Sequence, residues 1–182
     1  MENADGALLE ALIAGRVDAF EELYERFAPR LLRAAHCITR RKEDAEDAVQ
    51  DVFIALVRTG PALREVKNLN AYLFTSVHRS ACRRAQQRSE HEQIDAESIA
   101  APHEGDAEGA HSERLSRALQ SLPLEQRTVL SLKIDGEMTF EQIAEMLNVS
   151  VNTAASRYRY ALEKLRSALA PAAKAPTGGT HG

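Results

Sequence analysis

The stretch from Ser150 to Arg166, SVNTAASRYRYALEKLR, brings Asn152, Thr153, Ser156 and Arg157 into the first turns of a prospective helix. A carboxamide, two small hydroxyls and a guanidinium are the groups that read nucleobase edges. Arginine forks onto guanine, asparagine pairs with adenine, and a threonine methyl meets the thymine methyl. Arg159, Tyr160 and Lys164 follow on the same outward side, and Arg159, Lys164 and Arg166 suit phosphates, which position a protein without specifying sequence. The only acid among them is Glu163, in a chain of formal net charge −4.

Two further charged sets stand out. Residues 67 to 88 hold Lys67, Arg79, Arg83, Arg84 and Arg88 and no acid, whereas residues 89 to 113 hold eight acids and no Lys or Arg. Two basic patches on either side of an acidic segment fit two contacts with a polyanion. The third set is Asp44, Asp47 and Asp51 in EDAEDAVQDVFIALVRTGP, opposite an apolar stripe of Ala45, Ala48, Val49, Val52, Phe53 and Leu56. That spacing, i, i+3, i+4, i+7, i+8, i+11, is one face of a helix, and Gly60 and Pro61 end it.

The elements that must carry these side chains are helical throughout. With 44% hydrophobic residues, 5% aromatics and no Trp among 182 residues, the cores must be built from Leu, Ile, Val and Ala, a composition that favours helices. Phe20, Leu23, Tyr24, Phe27, Leu31 and Ala34 form an earlier helical stripe, with Asp18 as its expected N-cap and Glu21 three residues on; Pro29 is placed to kink or divide it. A helix is expected near residues 68–86, then four more near 113–121, 124–134, 140–147 and 151–169. Thr139 and Gln142 spell a capping box, Asn148 tolerates a left-handed C-cap, and Ser150 caps the last helix. Two short helices joined by a three-residue turn, with small Ala144 near the crossing, form a helix-turn-helix. The last helix then divides, with Val151, Ala154, Ala155, Tyr158, Leu162, Leu165 and Leu169 inward and the base-reading set outward.

The fold class expected is therefore all-α: two small helical domains joined by a flexible acidic linker, the second containing the helix-turn-helix. The boundaries read as 1–88, a linker over 89–112, 113–170, and a disordered tail over 171–182.

The sequence LQSLPLEQRTVLSLKIDGEMTFEQIAEMLNVSVNTAASRYRYALEKLR resembles the fourth conserved region of bacterial sigma factors of the sigma-70 family. DAEDAVQDVFIALVR resembles their second region, in the short two-domain extracytoplasmic-function group. The resemblance implies a transcription initiation factor that binds core RNA polymerase, directs it to promoter DNA and assists strand opening. By position it implies that Asp44, Glu46, Asp47, Gln50 and Asp51 dock on the polymerase clamp coiled coil. Tyr72, Arg79, Ser80, Arg83, Arg84 and Arg88 would meet the minus-ten element, with Phe74 a second aromatic candidate. Asn152, Thr153, Ser156, Arg157, Arg159, Tyr160 and Lys164 would read the minus-thirty-five element. The chain departs from the family where Ser80 stands for a common Asn, Arg84 for a frequent Asp, and Ala155 for a common Lys. The first two changes leave the minus-ten base preference open, and the third removes one phosphate contact. The resemblance also admits an anti-sigma factor as partner.

Other chemistries find little support. His36, Cys37, His78 and Cys82 are a zinc-type donor set, but they divide between two helices. Cys37 and Cys82 have no CxxC spacing, and no Gly-rich phosphate loop is present. No catalytic residue, metal, cofactor or small-molecule substrate is expected. The first residues, MENADGALLEALIAG, lack the basic lead and apolar core of a signal peptide, and no apolar run reaches membrane-spanning length. A cytoplasmic setting without membrane insertion is the expectation. The competing reading is a stand-alone helix-turn-helix regulator binding duplex operators as a symmetric dimer. The Asp44–Arg58 helix argues against it, because such a regulator has no use for that acidic face.

Overall fold

The computed structural model describes residues 2–58, 60–92 and 107–170. Its α-helices are α1 (Glu2–Ile13), α2 (Val17–Thr39), α3 (Lys42–Arg58), α4 (Leu69–Glu92), α5 (Ala107–Gln120), α6 (Leu124–Ile134), α7 (Phe140–Leu147) and α8 (Val151–Leu169), with a 3-10 helix at Gly60–Glu65. Helix α4 thus extends four residues past the expected domain end at 88, and α5 starts six residues before 113. The rest of the expected linker, 93–106, and the tail, 171–182, lie outside the described residues.

Helix α2 organises the first unit. Leu23, Phe27, Leu31, Ala34, Ala35 and Ile38 are buried along it, and α1, α3 and α4 all pack against it. Pro29 does not divide the helix. It is exposed, and α2 runs unbroken through it. The N-terminus starts earlier than the sequence pattern predicts: Arg16 occupies the N-cap without a side-chain cap, and Asp18 lies in the first turn. Its carboxylate pairs with Arg16 instead. That pairing supplies the negative charge favoured at a helix start and holds the Asp18 carboxyl below its ordinary range. Tyr24, counted on the apolar stripe by its spacing, is exposed, and its ring packs against Phe53 of α3 with centroids 5.2 Å apart. Helix α1 was not anticipated. Leu8 and Leu12 bury it against the first unit, and Asp5 pairs with Arg26.

In the second unit, α5, α6 and α8 enclose a small core of Ala118, Leu122, Leu130, Ala161 and Leu165. Arg127 is buried beside it, donating to the carbonyls of Gln120 at 3.3 Å and Leu122 at 3.1 Å. Burial lowers its pKa, and Arg40 adds to the effect. A larger apolar cluster runs without a break from the first unit into Val129 and Leu132 of α6, Met138, Ile143 and Ala144 of α7, and Ala154 of α8. Helices α2 and α6 lie side by side, so the two units are docked on each other.

The loop leaving α6 admits only glycine at 136. A Cβ there would stand 2.5 Å from the Leu132 carbonyl oxygen, a backbone atom that cannot swing aside. Gly136→Ala is expected to destabilise the protein by about 1–3 kcal/mol, seen as a lower urea midpoint at unchanged slope. A second prediction concerns pH. Burial, reinforced by Arg79, lowers the His78 pKa below 6.5. The unfolded chain therefore takes up a proton that the folded chain refuses, and stability falls as the pH drops through 6.5, levelling only below the folded value. Denaturation of His78→Gln between pH 7.5 and 5 should show a shallower decline.

Candidate nucleic-acid interface

The helix-turn-helix is fixed by local hydrogen bonds. Thr139 and Gln142 close a reciprocal capping box: Gln142 N–H donates to Thr139 Oγ1 at 3.2 Å, and Thr139 N–H donates to Gln142 Oε1 at 2.8 Å. Asn148 takes the left-handed conformation at φ 52°, which an asparagine tolerates better than most residues. Ser150 Oγ accepts the Thr153 N–H at 3.0 Å and caps α8. The Ser150 and Thr153 hydroxyls also share a hydrogen bond of 2.8 Å. The Thr153 hydroxyl thus takes part in the cap.

Helix α8 seats itself through Ala154 and Ala161, both at 0% exposure, and Leu165. Tyr158 meets Phe140 of α7 edge-on at 5.6 Å between centroids. Asn152, Arg159, Tyr160 and Lys164 are exposed, and Thr153, Ser156 and Arg157 are half-buried along the same helix. The Arg159 guanidinium lies over the Tyr160 ring, 5.4 Å from its centroid. Lys164 Nζ donates to the Ser121 carbonyl at 3.3 Å. Val151, expected to face inward, is exposed, because it opens the first turn ahead of the buried Ala154.

The acidic face of α3 and the basic face of α4 meet each other. Arg84 bridges Asp47 at 3.0 Å and Asp51 at 2.8 Å, and Arg88 reaches Asp44 at 3.2 Å. Arg83 stands 3.8 Å from Asp51. The Asp51 hydrogen bond, together with the Asp51 and Asp47 charges, raises the Arg84 pKa. Ser80 is buried and donates to Asp51 Oδ2 at 3.3 Å. That burial makes Ser80 a tie between the two helices rather than a surface open to a base. Phe74 is also buried, with Arg30 over its ring, so it presents no stacking platform. Tyr72 is half-buried against the core, and Arg79 is exposed.

On α3, Glu46, Asp47 and Gln50 are exposed, while Asp44 and Asp51 are half-buried. Beside them, Tyr24, Phe53, Ile54 and Val57 line an apolar groove of about 580 Å³ that also touches Glu46 and Gln50. Ile54 and Val57 lie on α3 outside its buried stripe of Ala45, Ala48, Val49, Val52 and Leu56. Tyr24 could not be placed there, because it comes from α2. The His78 and Cys82 side chains are 3.6 Å apart on α4, and burial raises the Cys82 pKa above its ordinary value.

The family model for sigma-70 region 2 matches residues 23–90, and that for sigma-70 region 4 matches residues 112–165. The chain is 30% identical over 165 residues to the ECF RNA polymerase sigma factor SigM of Mycobacterium tuberculosis, covering 90% of this chain and 84% of that protein. This chain belongs to the extracytoplasmic-function group of sigma-70 factors. It is likewise 30% identical over 169 residues to the RNA polymerase sigma factor CarQ of Myxococcus xanthus, covering 88% of this chain and 95% of CarQ. Its fold matches the sigma factor RpoE of Bartonella quintana, solved in complex with the anti-sigma factor NepR. The TM-score is 0.70 at 22% identity, over 84% of this chain and 98% of that one. The protein is thus a promoter-specificity factor. It binds core RNA polymerase and directs it to promoters, and the stand-alone regulator is not favoured. Members of the family act in transcription initiation without catalysing a reaction of their own. No helix among the described residues of this sigma factor is long and apolar enough to cross a membrane.

The ladder between α3 and α4 yields a test of structural against docking roles. Asp51→Ala removes the Arg84 and Arg83 contacts to that carboxylate and takes away the acceptor of the buried Ser80 hydroxyl, which keeps only the Arg83 Nη2 donor at 3.4 Å. The partly exposed pairs contribute little, about 0.2–1 kcal/mol each, and the stranded hydroxyl adds about 1 kcal/mol or more. Asp51→Ala should therefore lower the urea midpoint measurably, while Asp47→Ala, which removes one exposed partner, should leave it near wild type.

Proposed function

We propose that α8 reads the minus-thirty-five element in the major groove. Asn152, Arg157 and the Thr153 methyl face base edges there, and Arg159, Tyr160 and Lys164 track the backbone, with Ser156 slim enough to allow close approach. The observation that supports this most directly is the sealed seat of α8. Ala154 and Ala161 are fully buried while Asn152, Arg159, Tyr160 and Lys164 stay exposed, which is the division a recognition helix needs.

For the minus-ten element we infer that Arg79 and Tyr72 make the direct contacts, and that Arg83, Arg84 and Arg88 contribute charge that must first be shared with, or released from, Asp44, Asp47 and Asp51. Ser80 positions α4 through Asp51. Stacking on an aromatic plus phosphate contacts is the chemistry that holds separated strands. The polymerase-docking surface is the exposed part of α3, Glu46, Asp47 and Gln50, extended by the groove at Tyr24, Phe53, Ile54 and Val57. Asp44 and Asp51 lie at its inner edge. Charged groups around an apolar centre are the usual anatomy of such an interface.

The chain carries no catalytic role of its own in this reading, works in the cytoplasm, and uses two helical domains split near residues 92 and 107. An anti-sigma factor is a further partner, an inference supported by the complex that the Bartonella quintana RpoE forms.

Run-off transcription with purified core enzyme tests the whole. Arg157→Ala should lose about 1–3 kcal/mol of promoter affinity and relax preference at a single base pair. A promoter library on which mutant and wild type behave identically would remove Arg157 from base reading. Gln50→Ala combined with Ile54→Ala should cut co-elution with core polymerase while leaving the thermal midpoint in place, since both side chains are exposed.

A further inference from the structure

The two units meet along a seam. Arg30 and Arg33 of α2 reach Asp135, donating to its carbonyl and to Oδ1 at 2.7 Å each, and Asn70 Nδ2 donates to the Gly136 carbonyl at 2.5 Å. Beside these contacts the helices leave space. Side chains from α2, α3, α5, α6 and α8 surround a cavity of about 600 Å³, walled chiefly by Leu32, Leu115, Leu119, Leu130, Ile134 and Leu165. Small-molecule sites run from about 300 to 1,000 Å³ and are mostly apolar with a few placed polar groups. The charged residues around this cavity neutralise one another. Arg33 pairs with Asp135, and Lys42 stands 3.7 Å from Glu46.

A smaller cavity of about 50 Å³ adjoins the first, and His36, Cys37 and Leu119 line both. Here the charges do not cancel. Arg40 and Arg127 both line it, and their guanidiniums converge on the Gln120 carbonyl, Arg40 Nη2 at 2.7 Å and Arg127 Nη1 at 3.3 Å. Arg127 is only 5% exposed. Its Nη1 serves two carbonyls, its Nε is buried without an acceptor, and its Nη2 makes no hydrogen bond to the described residues. The edge left over is a planar fork of the kind that takes a carboxylate through two parallel bonds. Cys37 supplies no counter-charge, because burial pushes its thiol pKa up. A buried cation without a counter-ion is costly, and an entering anion relieves that cost. One water needs about 10–15 Å³, so the small cavity has room for a carboxylate.

We propose that the two cavities together bind an amphiphilic monocarboxylate of the medium-chain fatty-acid type, its carboxylate on Arg127 and Arg40 and its alkyl chain in the leucine-lined cavity. Each end supplies what the other lacks. The head neutralises a cation that the protein leaves unpaired, and the tail removes apolar wall from water. A small anion would leave the large cavity unfilled, and an alcohol would leave the guanidinium without its charge partner. A ligand held by the folded chain alone stabilises that chain. Asn152 and Arg157 line neither cavity, so the site stands apart from the base-reading assignment.

The test uses the full-length protein and decanoate below its micellar concentration, with acetate as head without tail and 1-decanol as tail without head. Calorimetric titration reads affinity, and thermal melting reads stabilisation. Arg127→Gln would also remove the bonds to the α5 carbonyls, so two exposed positions carry the test instead. Arg40→Glu sets a carboxylate beside Arg127, and Leu115→Asp sets a charge in the tail wall; circular dichroism verifies that both keep their helix content. Decanoate should bind one per chain and raise the melting midpoint by several degrees. Acetate and 1-decanol should bind about tenfold more weakly or worse, and each variant should weaken decanoate by about tenfold or more. Absence of decanoate binding up to millimolar concentration overturns the proposal. Decanol matching decanoate overturns the carboxylate seat, and acetate matching it overturns the tail seat. Wild-type affinity in either variant places the ligand elsewhere and overturns the site.

Discussion

The apolar stripe of α2 is the one surface on which both halves of the molecule depend. Leu23, Phe27, Leu31 and Ala35 are each within 1% of complete burial, and each large side chain among them contributes about 1.5–3 kcal/mol through burial. Helices α3 and α4 rest on this stripe, which fixes the spacing at which their charged faces meet. Helix α6 lies against the same helix, so the helix-turn-helix takes its place in the free protein from a residue row in the other unit. A change in the packing of α2 would therefore be felt at the acidic face, the basic face and the recognition helix together.

Electrostatics divides into two classes. The α3–α4 ladder joins side chains to side chains, several of them exposed, and such pairs are weak and screened by salt. A phosphate or a cationic partner helix can exchange with them at little net cost, which suits surfaces that must change partners. The contacts across the seam instead run largely from guanidinium and carboxamide groups to backbone carbonyls at helix ends. The guanidinium bonds among them are charge-assisted and stronger than neutral ones, and all of these contacts depend on helix ends whose position is set by Gly136 and by the buried Arg127. The ladder and the seam thus place opposite demands on their helices, easy release in one and defined registration in the other.

How much of this was legible in the sequence follows from the range of the interactions involved. The helix-turn-helix could be read almost residue by residue, since Thr139, Gln142, Asn148 and Ser150 act over three residues and state their role locally. The stripe of α3 was equally clear, with Ala45, Ala48, Val49, Val52 and Leu56 all buried. Helix α1 was missed because its apolar residues, Leu8, Leu9, Leu12 and Ile13, come in a short run after a polar, Gly-containing start. The N-terminus of α2 was misplaced because Arg16 satisfies Asp18 from outside the helix. The ladder links residues more than thirty positions apart and the seam residues more than sixty apart, a range that no periodicity reports. Ser80 and Phe74 share one lesson. Their residue types suited a nucleic-acid surface, but burial against α3 and α2 decided otherwise.

The proposed base-reading surface of α8 is economical. The Thr153 hydroxyl shares one hydrogen bond with the cap, Ala155 supplies no cation, and Lys164 gives one of its three donors to the Ser121 carbonyl. On the proposed reading, base contacts fall mainly to Asn152 and Arg157, and phosphate contacts to Arg159 and its neighbours. Each good base contact is worth about 1–3 kcal/mol, too little for a lone helix on a chain of net charge −4 to hold one site against genomic competitors. A second contact at the minus-ten element, made within one polymerase complex, turns the weaker interaction into an intramolecular one and multiplies the two affinities through effective concentration.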